Sequence, residues 1–341
     1  MPLTTDIDRL VEAARAGRPR AVARLVSLIE NSSPALREVM AALTPSTGRA
    51  TVIGLTGSPG VGKSTTTTAL VAALRERGER VGVLAVDPSS PFSGGALLGD
   101  RVRMQQHALD PEVFIRSMAT RGHLGGLSAA APQALRVFDA ARCDTVVVET
   151  VGVGQSEVEV AGLADVTVVL VAPGMGDGIQ AAKAGILEVG DLFVVNKADR
   201  EGAQAVVRDL RTMVAMAARE PHEWKPPVLT TIASVGAGIP ELVEAIGRFV
   251  DHTREDGSWD RRRTARAAHE IEALALGELR SRFRFGGHAG LPALARAVRD
   301  GRLDPYAASD QLVAQATDAD IAPDIGVGPD DRSGPLLADR A

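Results

Sequence analysis

One cysteine, Cys143, occurs in 341 residues, so the chain has no internal disulfide and no cysteine-based metal cluster. Aromatic residues are only 3% of the composition, and the core must be built from Val, Leu, Ala and Ile; the 45% hydrophobic content is ample for one. A basic excess is also missing. The 38 Lys and Arg against 43 Asp and Glu leave a net charge of -5, which excludes a broad positive field for nucleic acid or an anionic membrane. No apolar run approaches the roughly 20 residues needed to span a bilayer. The opening Met1-Pro2-Leu3-Thr4-Thr5-Asp6 lacks the charged-then-apolar order of a signal segment. These absences predict a reduced, cytoplasmic setting with neither nucleic acid nor membrane as partner.

Lysine is scarce as well. Only four occur, Lys63, Lys183, Lys197 and Lys225, against 34 arginines. Where arginine serves as the general cation, a retained lysine suggests a place where a compact ammonium is needed; codon bias with chance placement is the plainer reading. Two of the four fall in segments with nucleotide-binding character.

The first is Gly57-Ser58-Pro59-Gly60-Val61-Gly62-Lys63-Ser64, a full G-x-x-x-x-G-K-[ST] loop between the apolar run Thr51–Leu55 and a helical stretch from Thr65 to Leu74. Its glycines let backbone N–H groups approach phosphate oxygens, Lys63 reaches the same oxygens, and the Ser64 hydroxyl is placed for Mg²⁺. The second is Asn196-Lys197-Ala198-Asp199, after the apolar run Leu192–Val195. A carboxylate at Asp199 matches the ring N–H and exocyclic amine of guanine, a donor pair that adenine lacks. The Lys197 stem can cover the base and Asn196 can tie the loop down. Ser234 and Val235, within Ala233-Ser234-Val235, are candidates to present backbone N–H groups to the guanine oxygen, or form an ordinary helix-entry loop. The two motifs together predict a site for GTP and GDP.

Acidic residues at strand ends are the candidate Mg²⁺ partners: Asp87 after Val81–Val86, Glu149 after Thr145–Val148, and Asp100 in a loop. Each has a plainer reading as a solvated charge or a helix cap. Gly152, in Glu149-Thr150-Val151-Gly152, is a candidate to present its N–H to a γ-phosphate.

The wider pattern predicts a doubly wound α/β fold with a mostly parallel sheet. Strands are expected at Thr51–Leu55, Val81–Val86, Val113–Ser117, Thr145–Val148, Val166–Val171, Leu192–Val195 and Val228–Ile232, with crossover helices such as Ala203–Arg219 and Gly238–Phe249. Residues 1–48 read as a helical segment, with Ile7, Leu10, Val11, Ala14 and Val22, Leu25, Val26, Ile29 at helical spacing and Ser33-Pro34 starting a third helix. Residues 49–251 read as the nucleotide domain and 252–318 as a helical arm, with helices over Ser258–Phe285, Leu291–Arg299 and Pro305–Ala316. Residues 319–341, rich in Pro and Gly, read as a disordered tail.

Over roughly residues 5–310 the chain resembles the MeaB/ArgK family of P-loop GTPases. The resemblance rests on the phosphate loop through Thr65; on Asp87-Pro88-Ser89-Ser90-Pro91-Phe92-Ser93-Gly94-Gly95 through Gly99-Asp100-Arg101; on Arg121-Gly122-His123-Leu124-Gly125-Gly126; on Glu149 through Glu157; and on Pro173 through Lys183. One departure is Gly178, where the family commonly has an acidic residue. The resemblance implies two switches at Asp87–Arg101 and Glu149–Glu157 and a third carrying Asp177, Gln180 and Lys183. It also implies a homodimer joined through the C-terminal helices, and a GTP-gated chaperone of an adenosylcobalamin-dependent acyl-CoA mutase. With no arginine finger or water-orienting glutamine in the phosphate loop itself, hydrolysis is expected to be slow alone and faster with the partner. Alternatives are a nickel-insertion GTPase, an ATP-dependent small-molecule kinase, or a dimerisation module without catalysis.

Overall fold

Val-rich runs with few polar interruptions suit strands covered on both faces, and seven of them build the sheet. The computed structural model describes residues 3–87, 104–107, 109–119, 130–150, 160–174, 186–217, 220, 222–285 and 290–321. The elements in chain order are α1 (Leu3–Arg15), α2 (Pro19–Glu30), α3 (Leu36–Leu43), β1 (Thr51–Thr56), α4 (Lys63–Glu76), β2 (Val81–Asp87), β3 (Val113–Ala119), α5 (Ala131–Ala140) and β4 (Thr145–Thr150). They continue with β5 (Val166–Val171), the single turn α6 (Ile186–Val189), β6 (Leu192–Val195), α7 (Ala203–Met216), β7 (Val228–Thr230), α8 (Ile239–Glu255), α9 (Ser258–Phe285), α10 (Leu291–Arg299) and α11 (Pro305–Ile321).

The strand order is β3-β2-β4-β1-β5-β6-β7, and every pairing is parallel. This is the expected doubly wound sheet. From β1 the chain passes to β2 and on to the edge strand β3, returns to β4, which lies between β2 and β1, and then crosses to β5, β6 and β7 on the other side of β1. The carboxyl end of β1 is therefore the switch point at which such sheets bind ligands.

Side-chain parity divides the core. Ile53, Leu55, Val147, Val168 and Leu170 face α4 and α8, where they pack with Leu70, Val71, Leu74, Leu242 and Phe249. Val146 and Val148 face the other way, with Phe138 of α5 and with Leu25, Ile29 and Leu43 of the N-terminal helices. On that side of β5 and β6, Val169, Val171, Phe193 and Val195 pack against Val207 and Leu210 of α7. Since Glu149 shares the parity of Val147, it points toward α4.

Several element ends differ from expectation, each for a local reason. The third helix begins at Leu36 rather than Pro34, because Ser33 bonds first to the amides of Ala35 through its hydroxyl and Leu36 through its carbonyl. β7 stops at Thr230 because Ile232 turns to pair with Ala237 in an antiparallel bridge. β2 and β4 run on through Asp87 and Thr150, so Asp87 and Glu149 are strand residues. α11 continues to Ile321, into the stretch read as a tail, while residues 322–341 lie outside the described ones.

Two units are separable, Met1–Ala268 and His269–Ala341. In the second, Ile271, Leu274, Leu276 and Leu279 of α9 and Leu291, Tyr306 and Val313 of the helices that follow are exposed. Within the first, Trp259 is buried and Arg263 stacks over its ring at 4.4 Å.

Candidate functional site

The phosphate loop runs from the end of β1 into the first turn of α4 at Lys63. Two of its glycines are required sterically. Gly57 (φ 138°) passes against the backbone of β5, where a Cβ would collide with the Leu170 carbonyl oxygen. Gly62 (φ 101°) leaves room for Asn196, whose Nδ2 a Cβ would strike. Both adopt the left-handed backbone that L side chains rarely tolerate.

Lys63 is 6% exposed, and its Nζ donates to the Gly57 carbonyl at 2.6 Å and the Ser58 carbonyl at 3.1 Å. The ammonium thus lies within the curl of the loop, where a phosphate chain would be cradled. Ser64 Oγ donates to Glu149 Oε1 at 2.5 Å, and Glu149 is 2% exposed. Parallel pairing of β1 with β4 brings them together: Leu55 lies beside Glu149 in the register, and α4 follows β1 directly. A second hydroxyl, Thr67 Oγ1, donates to Glu149 Oε2 at 2.9 Å. A hydroxyl and a buried carboxylate in contact at the helix start are hard oxygen donors, a set that suits Mg²⁺. Asp87 ends β2, which lies next to β4.

The candidate base-binding segments are tied to the phosphate loop by two side chains, Asn196 and Lys197. Asn196, 2% exposed, donates from Nδ2 to the Val61 carbonyl at 2.9 Å. Its Oδ1 accepts from Thr231 Oγ1 at 3.1 Å and from the Ala233 amide at 3.1 Å. One amide side chain therefore spans the phosphate loop, β6 and the loop after β7. Lys197 (φ 55°) extends alongside, its Nζ donating to the Gly60 carbonyl at 2.6 Å. Asp199 is exposed on the same turn, where Ala198 N donates to Thr231 O at 3.1 Å. In the Ala233–Val235 turn the Ala233 amide serves Asn196 and the Val235 amide donates to Ile232 O at 3.0 Å.

The fold thus collects Lys63, Ser64 and Glu149 at the start of α4, and brings Asn196 and Lys197, with Asp199 and the turn of Ser234 and Val235 on the adjoining segments, to the Gly60–Gly62 part of the phosphate loop. Asp100, Gly152, Asp177, Gln180 and Lys183 lie outside the described residues. Thr67 escaped the sequence reading. Its only local signal is a position three residues after Ser64, on the same helix face.

A phosphate loop at the switch point, a carboxylate against its serine and an Asn-Lys-Ala-Asp turn fastened to it define a P-loop GTPase. Residues 22–287 match the family described as methylmalonyl-CoA mutase-associated GTPase MeaB, and the chain belongs to that family. A protein of Pyrococcus horikoshii named as a GTPase is 44% identical over 310 residues, covering 90% of this chain and 97% of the relative. The mitochondrial methylmalonic aciduria type A homolog of Caenorhabditis elegans is 32% identical over 328 residues, covering 90% of this chain and 82% of its own. Among solved structures, a protein titled LAO/AO transport system kinase superposes with a TM-score of 0.69 at 27% identity, covering 92% of this chain and 98% of its own. Like its relatives the chain is a GTPase and binds guanine nucleotides. No described helix is long and apolar enough to cross a membrane.

Proposed function

We propose that this GTPase is a nucleotide-gated chaperone of an adenosylcobalamin-dependent acyl-CoA mutase, governing delivery of intact cofactor to the mutase and removal of the damaged form. The observation that carries this reading is the match over residues 22–287 to a family described by its association with methylmalonyl-CoA mutase. The similarity to a methylmalonic aciduria protein supports it.

In this reading Lys63 and the loop amides hold the β- and γ-phosphates, Asp199 selects guanine, and Lys197 lies along the base. Ser64 and Glu149 hold Mg²⁺, joined by Asp87 and Asp100 directly or through water. Bound there, Mg²⁺ would neutralise phosphate charge during transfer of the γ-phosphoryl group to water. Gly152 reports the γ-phosphate, and the segment of Asp177, Gln180 and Lys183 carries the partner's signal. The phosphate loop itself carries no arginine finger and no water-orienting glutamine, so hydrolysis is slow until the mutase positions those residues. The exposed apolar residues of α9, α10 and α11 join two copies into a homodimer in the cytoplasm. The nickel-insertion alternative is disfavoured by Cys143, whose burial pushes its thiol well above the ordinary range. The thiolate is the metal ligand, so a thiol held protonated is a poor carrier for nickel.

The test is co-purification of the full-length protein with an adenosylcobalamin-dependent mutase, loaded with a non-hydrolysable GTP analogue or with GDP. Nucleotide-dependent capture, with GTP turnover raised at least tenfold by the mutase, is expected. Turnover near 10 s⁻¹, a typical enzyme rate, by the isolated protein, or capture that ignores the nucleotide, overturns the gating.

A further inference from the structure

We propose that Thr67 is a positioning residue for Mg²⁺: its hydroxyl fixes the second oxygen of Glu149 so that the first stays aimed at Ser64, the other group that would hold the ion. The inference rests on the reading that Ser64 and Glu149 hold the metal.

The phosphate-loop helix continues past Ser64 with four consecutive threonines, Thr65 to Thr68. β-branched hydroxyl residues are weak helix formers, and in a helix they commonly bond back to the carbonyl four residues earlier. Thr66 Oγ1 does so to Gly62 O at 3.0 Å, and Thr68 Oγ1 to Ser64 O at 2.9 Å. Thr67 Oγ1 has the same option at Lys63 O, 3.1 Å away, but it also lies 2.9 Å from Glu149 Oε2. A hydroxyl has one proton, and the carboxylate is the stronger acceptor at the shorter distance. Thr67 is fully buried, so water does not compete for that proton.

Glu149 is accordingly held at both oxygens by hydroxyls one helical turn apart, Ser64 on Oε1 and Thr67 on Oε2. Rotation of the carboxylate about its last bond, a broad and soft torsion for glutamate, would break the Thr67 bond. Mg²⁺ demands near-ideal octahedral geometry, so a carboxylate free to rotate is a poorer partner for it. Side chains that orient metal-binding groups in this way typically contribute 10- to 100-fold in affinity.

The experiment measures binding of Mn²⁺, as the probe ion, to the full-length protein–GDP complex, read from the EPR signal of the free ion. Thr67→Val keeps shape and volume while removing the hydroxyl; it should weaken Mn²⁺ about tenfold, with GDP affinity in EDTA unchanged. Thr67→Ser should restore binding. Thr68→Val, which loses a back-bond of the same kind but no carboxylate contact, should bind the ion like the parent. A parental Mn²⁺ affinity in Thr67→Val, or an equal loss in Thr68→Val, overturns the proposal. Glu149→Gln separates it from its premise: if that variant weakens the ion and Thr67→Val does not, only the role of Thr67 fails. If neither changes it, the metal reading fails as well.

Discussion

Arg263 grips the buried carboxylate of Asp165 with two parallel hydrogen bonds, Nε to Oδ1 at 3.0 Å and Nη2 to Oδ2 at 2.9 Å. The same guanidinium donates to the carbonyls of Gly48 and Ala50, both at 2.7 Å. Arg266 adds an ion pair to Asp165, and the neighbouring Arg262 pairs with Asp191 at 3.0 Å. Asp165 and Asp191 stand just before β5 and β6, at the amino edge of the sheet, opposite the phosphate loop. The first turns of α9 are thereby fastened to the base of the sheet by charge as well as by Trp259.

Removing one partner of a buried pair leaves the other charge stranded, at a typical cost of about 3–5 kcal/mol. Arg263→Ala should lose about 3 kcal/mol, the low end, because Arg266 still reaches Asp165. Urea unfolding measures this, with an unchanged slope identifying a change in stability rather than in compactness. GTP affinity of the folded variant should stay within about twofold of the parent, since the pair lies at the far edge of the sheet. A loss below about 1 kcal/mol would show that the clamp is not holding the helix.

That clamp also marks the limit of the sequence. The phosphate loop and the Asn-Lys-Ala-Asp turn were legible because each is a contiguous segment whose spacing is set by local backbone geometry. The strands were legible because burial on both faces demands unbroken Val and Leu. Partners such as Arg263 and Asp165, 98 residues apart, or Thr67 and Glu149, 82 residues apart, meet only through the strand order. Nothing in the local pattern of either member announces the other. Helix ends were misplaced for the opposite reason, through competing short-range bonds such as those of Ser33.

Acid should weaken the edge of the sheet at β3. Asp110 is held below the usual carboxylate range by its hydrogen bond from Arg75, and Glu112 likewise by Arg80. Both groups keep a proton less readily when folded than when unfolded, so the stability they contribute is complete above about pH 4–5, the ordinary carboxylate range. It is lost as pH falls through the lowered folded values. Both pairs are partly exposed, and the gain from each is modest, up to about 1 kcal/mol. The double variant Asp110→Asn, Glu112→Gln should be less stable at pH 7 and should fall less steeply between about pH 5 and pH 3. Parallel stability curves for variant and parent across that range would remove these carboxylates from the acid response.

The two motif lysines outside the base site should separate binding from stimulation. Lys63 is folded onto the loop carbonyls inside the phosphate cradle. Lys63→Ala should abolish measurable hydrolysis and weaken GTP binding. Lys183→Ala should bind GTP like the parent and hydrolyse it at the same slow basal rate, yet respond less to the mutase. Single-turnover GTP hydrolysis with and without the mutase is the measurement. Equal stimulation of Lys183→Ala and the parent would take that residue out of the gating.

Asn196 and Asp199, three residues apart, should divide affinity from selectivity. Asn196 holds Val61, Thr231 and Ala233 together from a buried position, and its loss leaves a carbonyl, a hydroxyl and an amide without their partner. Each such group costs about 1–3 kcal/mol when buried and unsatisfied. Asn196→Ala should therefore destabilise the protein and loosen the phosphate loop, weakening GDP and ADP by a similar factor of about 10 or more. Asp199 is exposed and none of those three bonds depends on it. Asp199→Ala should leave stability within about 0.5 kcal/mol of the parent, as is usual for surface substitutions. Its effect should fall on discrimination, with GDP weakened and ADP little changed, because the lost carboxylate pairs only with the guanine donors. Calorimetric titration of both nucleotides into both variants decides the matter. If Asn196→Ala altered the GDP-to-ADP ratio as strongly as Asp199→Ala, the two residues would act as one unit rather than as strut and reader.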